Sequence, residues 1–359
     1  MQDHPDRLSP AGPPTKVGWL RAAIGHDLGI DLGTANTLIF RRGRGVVLAQ
    51  PSYVAIDVTE GSLVGVGEEA REMLGRVPQH IEVIRPLQSG VIGDIDAAQV
   101  MLREFILRVH HRRRLVKPRV VVCVPSGVTM IERRAVEEAV LQAGARHVDI
   151  VSEALAAAIG AGLPVDEPRG SMVVDIGGGT TEVAVVVLGS ILASTSLRVA
   201  GDAIDAEIVT YIRKQHGVLV GERTAEKIKH HAASAWPGVR DVNAEIVGRD
   251  LSTGRPKKVR LTADELREAI AEPIEDISDA VVSVFDRLPP EIVRDIAKSG
   301  IVLTGGGALL AGVDRRLARD VGVVVLVDPE PLSCVVRGAG MLLERPPRDP
   351  RAGGRSFRS

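Results

Sequence analysis

Short runs of aliphatic and β-branched residues alternate along this chain with segments whose apolar positions recur at helical spacing. Val120–Val124, Met172–Ile176 and Ile301–Leu303 are strand-length apolar runs, and the segments between them carry the longer period. Such alternation predicts an α/β fold. The clearest helix is Ile131–Ala143. Thr129 and Glu132 make a T-x-x-E capping box, Ala135, Val136, Ala139 and Val140 form one apolar face, and Gly144 stands where a terminating glycine belongs. A second helix, Glu153–Gly160, is expected to follow the short strand Val148–Val151 directly, with Ser152 and Glu153 opening it.

One pattern occurs twice. GIDLGTANTLIF (Gly29–Phe40) and VVDIGGGTTEVAVVV (Val173–Val187) both read apolar residues, Asp, apolar residue, glycine turn, Thr, then a β-branched run. Asp31 and Asp175 lie 144 positions apart, about one domain of chain, so the sequence suggests two related halves facing each other. A third glycine turn, LTGGGAL, follows at Leu303–Leu309. Backbone N–H groups freed by tight turns form anion-binding concavities. A dinucleotide fingerprint or P-loop runs from strand into helix, whereas both Asp-bearing turns here run into strand-like segments, which favours hairpins. One aspartate at one hairpin is accounted for by an Asx-turn. Two copies and a third glycine turn point instead to two phosphate clips closing on a nucleotide, with the carboxylates holding Mg²⁺ through water.

Composition narrows the picture in three places. The 359 residues are 45% hydrophobic, enough for a large core in two domains or one elaborated one. Lys and Arg (45) balance Asp and Glu (46), so the whole molecule offers no global field, and any contact with nucleic acid or membrane must be local. Cys123 and Cys334 lack metal-type spacing and read as buried thiols in a reducing compartment. No signal peptide is visible, and no apolar run approaches the ~20 residues of a spanning helix. Residues 1–14 and the tail from Pro346 are polar and expected outside the fold.

The two Asp-glycine motifs, LTGGGAL and the segment ERRAVEEAVLQAGARHVDIVSEALAAAIGAGLPV together resemble the actin/DnaK-type ATPase superfamily, and in wording its MreB-like, rod-shape branch. The resemblance extends from about Asp27 to Glu344. It implies an α/β, actin-like fold of two domains, each with a five-stranded mixed sheet flanked by helices, around a nucleotide cleft. The first domain is expected over 23–167 plus 337–345 with a small insert at 55–87, the second over 168–336 with an insert at 205–267. Residues 1–22 are expected to be a disordered or membrane-proximal N-terminal segment and 346–359 a disordered tail. Asp31, Gly33, Thr34, Ala35 and Asn36 match the family's first phosphate loop, and Asp175, Gly177, Gly178, Gly179 and Thr180 the second. Gly305, Gly306, Gly307 and Ala308 match its adenosine loop. Gly201 and Asp202 fall where the family has a Gly-Asp near the nucleotide, and Glu226, Lys227 and Lys229 on a helix flanking adenine and ribose. By the same resemblance Glu153 places the attacking water, Thr180 assists, and Asp31 and Asp175 hold Mg²⁺ with ATP. Ala154 and Ser152 depart from the family's usual Glu-Glu-Pro wording there, which bears on turnover more than on the site.

The run VHHRRRLVKPR (Val109–Arg119) gathers Arg112, Arg113, Arg114, Lys117 and Arg119 around Leu115–Val116. Charge alone describes a solvated loop. No aromatic residue stands ready to stack on a base, so nucleic acid is not expected. The resemblance implies that the loop touches an anionic membrane surface. Upstream, Val17, Leu20 and Ile24 share one helical face beside Trp19, a weak amphipathic signal interrupted by Gly18. The implied function is a cytoskeletal ATPase that forms filaments at the inner face of the cell membrane. Its implied partners are itself, transmembrane cell-shape adaptors and the cell-wall synthesis machinery. A small-molecule kinase or a DnaK-type chaperone of the same fold is the alternative. The first needs an acceptor-pocket motif that is not found, the second a C-terminal peptide-binding domain for which little chain follows Glu344.

Overall fold

The computed structural model describes residues 27–110 and 117–344. The basic and apolar loop residues Arg112, Arg113, Arg114, Leu115 and Val116, the N-terminal segment with its Lys16–Ile24 face, and the tail from Pro346 lie outside the described residues.

Chain order runs β1 (Leu28–Leu32), β2 (Asn36–Arg41), β3 (Gly45–Pro51), β4 (Val54–Asp57), β5 (Ser62–Val66), β6 (Ile81–Ile84), β7 (Leu87–Gln88), β8 (Val91–Ile92), β9 (Arg119–Val124) and β10 (His147–Ser152). It continues with β11 (Ser171–Ile176), β12 (Thr181–Val187), β13 (Ser190–Leu197), β14 (Val218–Leu219), β15 (Ala244–Asp250), β16 (Pro256–Leu261), β17 (Ile301–Thr304) and β18 (Val325–Val327). Two five-stranded sheets dominate, in the orders β10-β9-β1-β2-β3 and β13-β12-β11-β17-β18. They are copies of one plan. In each, the Asp-bearing strand pairs antiparallel with the strand after the glycine turn and parallel with a distant one, β9 for β1 and β17 for β11. The repeat legible over a few residues therefore extends to whole lobes. Smaller three-stranded sheets, β5-β4-β6 and β14-β15-β16, accompany the first and second lobe respectively.

The helices follow local chemistry. Met130–Gln142 has both halves of the Thr129–Glu132 capping box, and Gly144 beyond it takes φ +116°. Glu153–Gly160 has the expected bounds, directly after a strand one residue longer at each end than Val148–Val151. Ser152 precedes that helix in extended geometry, but its hydroxyl makes no cap and lies 3.0 Å from the Ser126 hydroxyl instead. Separate cores fill the lobes, one around Met101, Leu102 and Phe105, the other around Ile204, Ile208 and Ile277. Each such side chain contributes about 1.5–3 kcal/mol on leaving water. Where the lobes meet, Glu153–Gly160 packs closely against the helix Cys334–Glu344. A Cβ on Gly160 would strike the Cys334 carbonyl, and one on Gly338 the Ala156 carbonyl.

Candidate active site

Period-two geometry aims both aspartates. In β1, Leu28, Ile30 and Leu32 face the first lobe's core, so Gly29 and Asp31 take the other face, where Gly29 packs on Ala339. In β11, Met172, Val174 and Ile176 face the second core, leaving Val173 and Asp175 toward the junction. Each carboxylate thus sits one residue before the end of a largely apolar strand and points between the lobes.

There they meet one cavity of about 150 Å³. Asp31, Gly33, Thr34, Ala35 and Asn36 line it from the first hairpin, Asp175 and Gly177–Thr180 from the second, with Glu153, Gly201, Glu226 and Gly305–Gly307 completing it. The two turns touch. A Cβ on Gly178 would come within 2.6 Å of the Ala35 Cβ, and one on Gly179 within 2.6 Å of the Thr34 hydroxyl. Only glycine lets these backbones approach, which leaves N–H groups rather than side chains to face an anion.

Each turn is braced from behind. The Ser52 hydroxyl donates to the Gly33 carbonyl (2.7 Å) and lies 2.9 Å from the Thr37 hydroxyl, while Ser52 N–H reaches the Ala35 carbonyl (3.0 Å). On the other side, Gly177 N–H donates to the Thr180 carbonyl (2.8 Å). The carbonyls of Gly177 and Gly178 accept from the N–H groups of Gly201 and Asp202 at the start of the helix Gly201–Tyr211 (3.2 and 2.7 Å). Thr304, directly beside Asp175 in the parallel register, donates its hydroxyl to Asp175 Oδ1 at 2.8 Å.

The electrostatics are those of a buried, crowded acidic pocket. Burial, reinforced by the Asp175 charge, pushes the Asp31 carboxyl up to about 7. Burial lifts Asp175 to about 6, with the Thr304 hydrogen bond pulling the other way. Glu153, 7% exposed at the first position of its helix, is raised well above the ordinary carboxylate range by burial and then by Asp31, Asp175 and Glu182. Glu182 is also raised by burial. One of its oxygens accepts from Ser126 N–H at 3.0 Å, and its Oε1 is buried without a partner.

Several expected site residues stand elsewhere. Lys227 is exposed and does not line the cavity, because it sits a third of a turn from Glu226 on the helix Glu222–Ala232. Lys229 is committed to Asp205 Oδ2 (2.7 Å) and the Gly201 carbonyl (2.8 Å), pinning that helix to its neighbour. Asp202 lines an adjoining cavity, and Ala308 packs into the second core. Arg119, grouped by sequence with the basic loop, is held by Asp149 at 2.7 Å and only slightly exposed. His230, Gly90 and Leu332 also line the site, and sequence reasoning named none of them. His230 was within reach, lying four residues after Glu226 and so on the same helical face.

Residues 25–349 match the family model described as MreB/Mbl protein. Over 329 residues the chain is 49% identical to the cell shape-determining protein MreB of Escherichia coli strain K12, covering 90% of this chain and 95% of that one. It is 44% identical over 326 residues to the cell shape-determining protein Mbl of Bacillus subtilis strain 168, covering 91% and 98%. Among solved structures, MreB 5 of Spiroplasma citri bound to AMPPNP superimposes with a TM-score of 0.85 at 34% identity, over 89% of this chain and 96% of that one.

Proposed function

The chain belongs to the MreB/Mbl protein family and has an actin-like fold; from that premise we propose that it is an ATPase whose nucleotide-bound subunits polymerise into filaments on the inner membrane face and organise cell-wall synthesis. The observation that carries the reading is the pair of abutting glycine turns with Asp31, Asp175 and Glu153 converging on one cavity. The AMPPNP held by the Spiroplasma relative supports ATP as the ligand.

The residues present fit Mg-ATP. Turn N–H groups suit phosphate oxygens, and three crowded, charge-averse carboxylates suit a divalent cation. Among the described residues no three acidic, His or Cys side chains converge as a direct ligand set. Asp31 and Asp175 would therefore hold Mg²⁺ with phosphate and water supplying the remaining positions. When bound, the ion neutralises charge developing on the phosphates. Glu153 would orient the attacking water by accepting a hydrogen bond from it. Thr180 lines the same cavity from the second turn. Phosphoryl transfer needs little more than this positioning and charge stabilisation.

Polymerisation is supported by exposed apolar side chains at separated places: Val58, Leu63 and Val64 near the β5-β4-β6 sheet, Val247 and Leu251 near β15, and Val324 and Leu326 near β18. Repeated head-to-tail contacts of this kind build open filaments. Membrane attachment rests on the basic loop with Leu115–Val116, each contact being weak and repetition along a filament making it stable. Sedimentation with ATP and without nucleotide, imaged by electron microscopy and repeated with anionic liposomes for the parent and Leu115→Ser/Val116→Ser, tests the assembly. Pelleting should require ATP, and liposome recruitment should require the apolar pair; a strictly monomeric protein under both conditions would overturn the proposal. Glu153→Gln should bind nucleotide normally and turn it over about 100-fold more slowly.

A further inference from the structure

Beside the nucleotide cavity lies a second one of about 110 Å³, and Ala35, Asn36 and Glu226 line both. Its walls are charged and come from opposite lobes. Arg71, on the helix Glu68–Met73, and Arg85, just after β6, reach across from the first lobe. Arg71 donates to Glu226 Oε2 at 2.6 Å, and Arg85 donates to Asp202 Oδ2 at 2.7 Å. Arg85 also points an N–H at the Thr34 carbonyl of the first phosphate turn (3.4 Å) and lies over the Tyr53 ring, 5.6 Å from its centroid. Asp202 in turn donates its backbone N–H to Gly178 of the second turn.

Resting on the nucleotide-binding reading above, we propose that Arg71–Glu226 and Arg85–Asp202 form a two-point latch across the cleft that sets how fast nucleotide leaves. The lobes cannot part along this edge without separating both ion pairs. Each pair is bound into the phosphate site: Glu226 is a wall of the nucleotide cavity, and Arg85 joins the first turn to the residue that braces the second. Partial burial matters to the outcome. The arginine side chains are 29% and 23% exposed, so these pairs are less screened than ordinary surface bridges yet still accessible to salt. Arg71 and Arg85 are positioning residues; neither lines the nucleotide cavity itself.

The test measures release of a fluorescent mant-ATP, chased with unlabelled ATP, from the full-length chain. Arg71→Glu and Arg85→Glu should each speed dissociation about tenfold and the double variant further, with association changed less than about twofold, while Arg71→Lys should stay near the parent. A structural role alone would lower the melting temperature without this split between release and association. The parent supplies an independent arm: its release should accelerate from low to high salt, and the acceleration should shrink in Arg71→Gln/Arg85→Gln. Reversal variants that melt like the parent and release nucleotide at its rate would overturn the latch, as would salt-independent release by the parent. An affinity loss carried by slower association would also overturn it. A parent that binds no nucleotide would overturn the proposed function itself.

Discussion

The two Asp-bearing hairpins share sequence pattern, strand pairing and aim, yet they are held differently. Asp175 has one oxygen fixed by Thr304 and lies in a turn whose carbonyls are tied to the first N–H groups of a helix. Asp31 sits beside Leu38 and Cys123 in its sheet, and its turn is braced by side chains, Ser52 foremost, rather than by a helix end. The second hairpin is thus a rigid half-site and the first a half-site adjusted through hydroxyl contacts and Arg85. Both copies share the pattern that aims a carboxylate, while the means of fixing it differ between them.

The largest effects should come from the carboxylates themselves. Asp31→Ala and Asp175→Ala should each weaken Mg-nucleotide binding by more than the roughly 10–100-fold that loss of a supporting group costs. Titration calorimetry with Mg²⁺ and again with a chelator reads this directly. Parent and variants should converge when the metal is removed; a variant that binds like the parent with Mg²⁺ present would break the pairing of the two hairpins as equivalent clips.

Removing the anchor that distinguishes the hairpins should cost less. Thr304→Val preserves shape but leaves Asp175 Oδ1 without its donor in a buried place. It should raise the Mg²⁺ concentration needed for half-maximal nucleotide binding by about tenfold. Thr304→Ser should restore the parent value. Thr37→Val, which disturbs the Ser52 brace of the first hairpin, should move the same midpoint less. If the order reverses, the first hairpin is the rigid one.

The hairpins were legible because their signals are local: strand period, a glycine turn and an acid at the tip all fall within a dozen residues. Helix Met130–Gln142 was legible for the same reason, its capping box spanning Thr129 to Glu132. Thr304 was not, since its bond to Asp175 depends on the register of parallel strands 129 positions apart. Arg71 and Arg85 find partners 155 and 117 positions away, and nothing in their surroundings marks them among the chain's other arginines. Lys227 shows the converse case. A motif match placed Glu226, Lys227 and Lys229 together, but adjacent residues on a helix cannot share a face, and the structure keeps Glu226 with His230 instead. Ser152 stands at the helix start its neighbours predict, but its hydroxyl goes to Ser126, from a loop that the local sequence does not reveal.

The smallest expected effect is also the most discriminating between the hairpins. In the unfolded chain Asp31 and Asp175 should titrate near 3.8, whereas in the ligand-free fold they are raised to about 7 and about 6. Groups raised in this way keep a proton in the native state that the unfolded chain has already released. Their contribution to stability is therefore complete below the unfolded value and is lost as pH rises through the folded one. Asp205, lifted to about 6 by burial despite Lys229, acts in the same direction, as do Glu153 and Glu182, both raised by burial. His230 acts against them, because burial and Lys229 hold it below its ordinary value, and its neutral form favours folding as pH rises. Asp320, lowered to about 2 by its arginine and serine partners, completes its change at lower pH and leaves the window alone. Ligand-free protein should accordingly lose about 2–4 °C in melting temperature between slightly acid and slightly alkaline pH. Asp31→Asn should flatten that slope more than Asp175→Asn, since Asp31 carries the higher folded value and Asp175 is partly relieved by Thr304. Scanning calorimetry of the two variants across the window decides it, and equal slopes would mean that the Thr304 hydrogen bond does not distinguish the hairpins energetically.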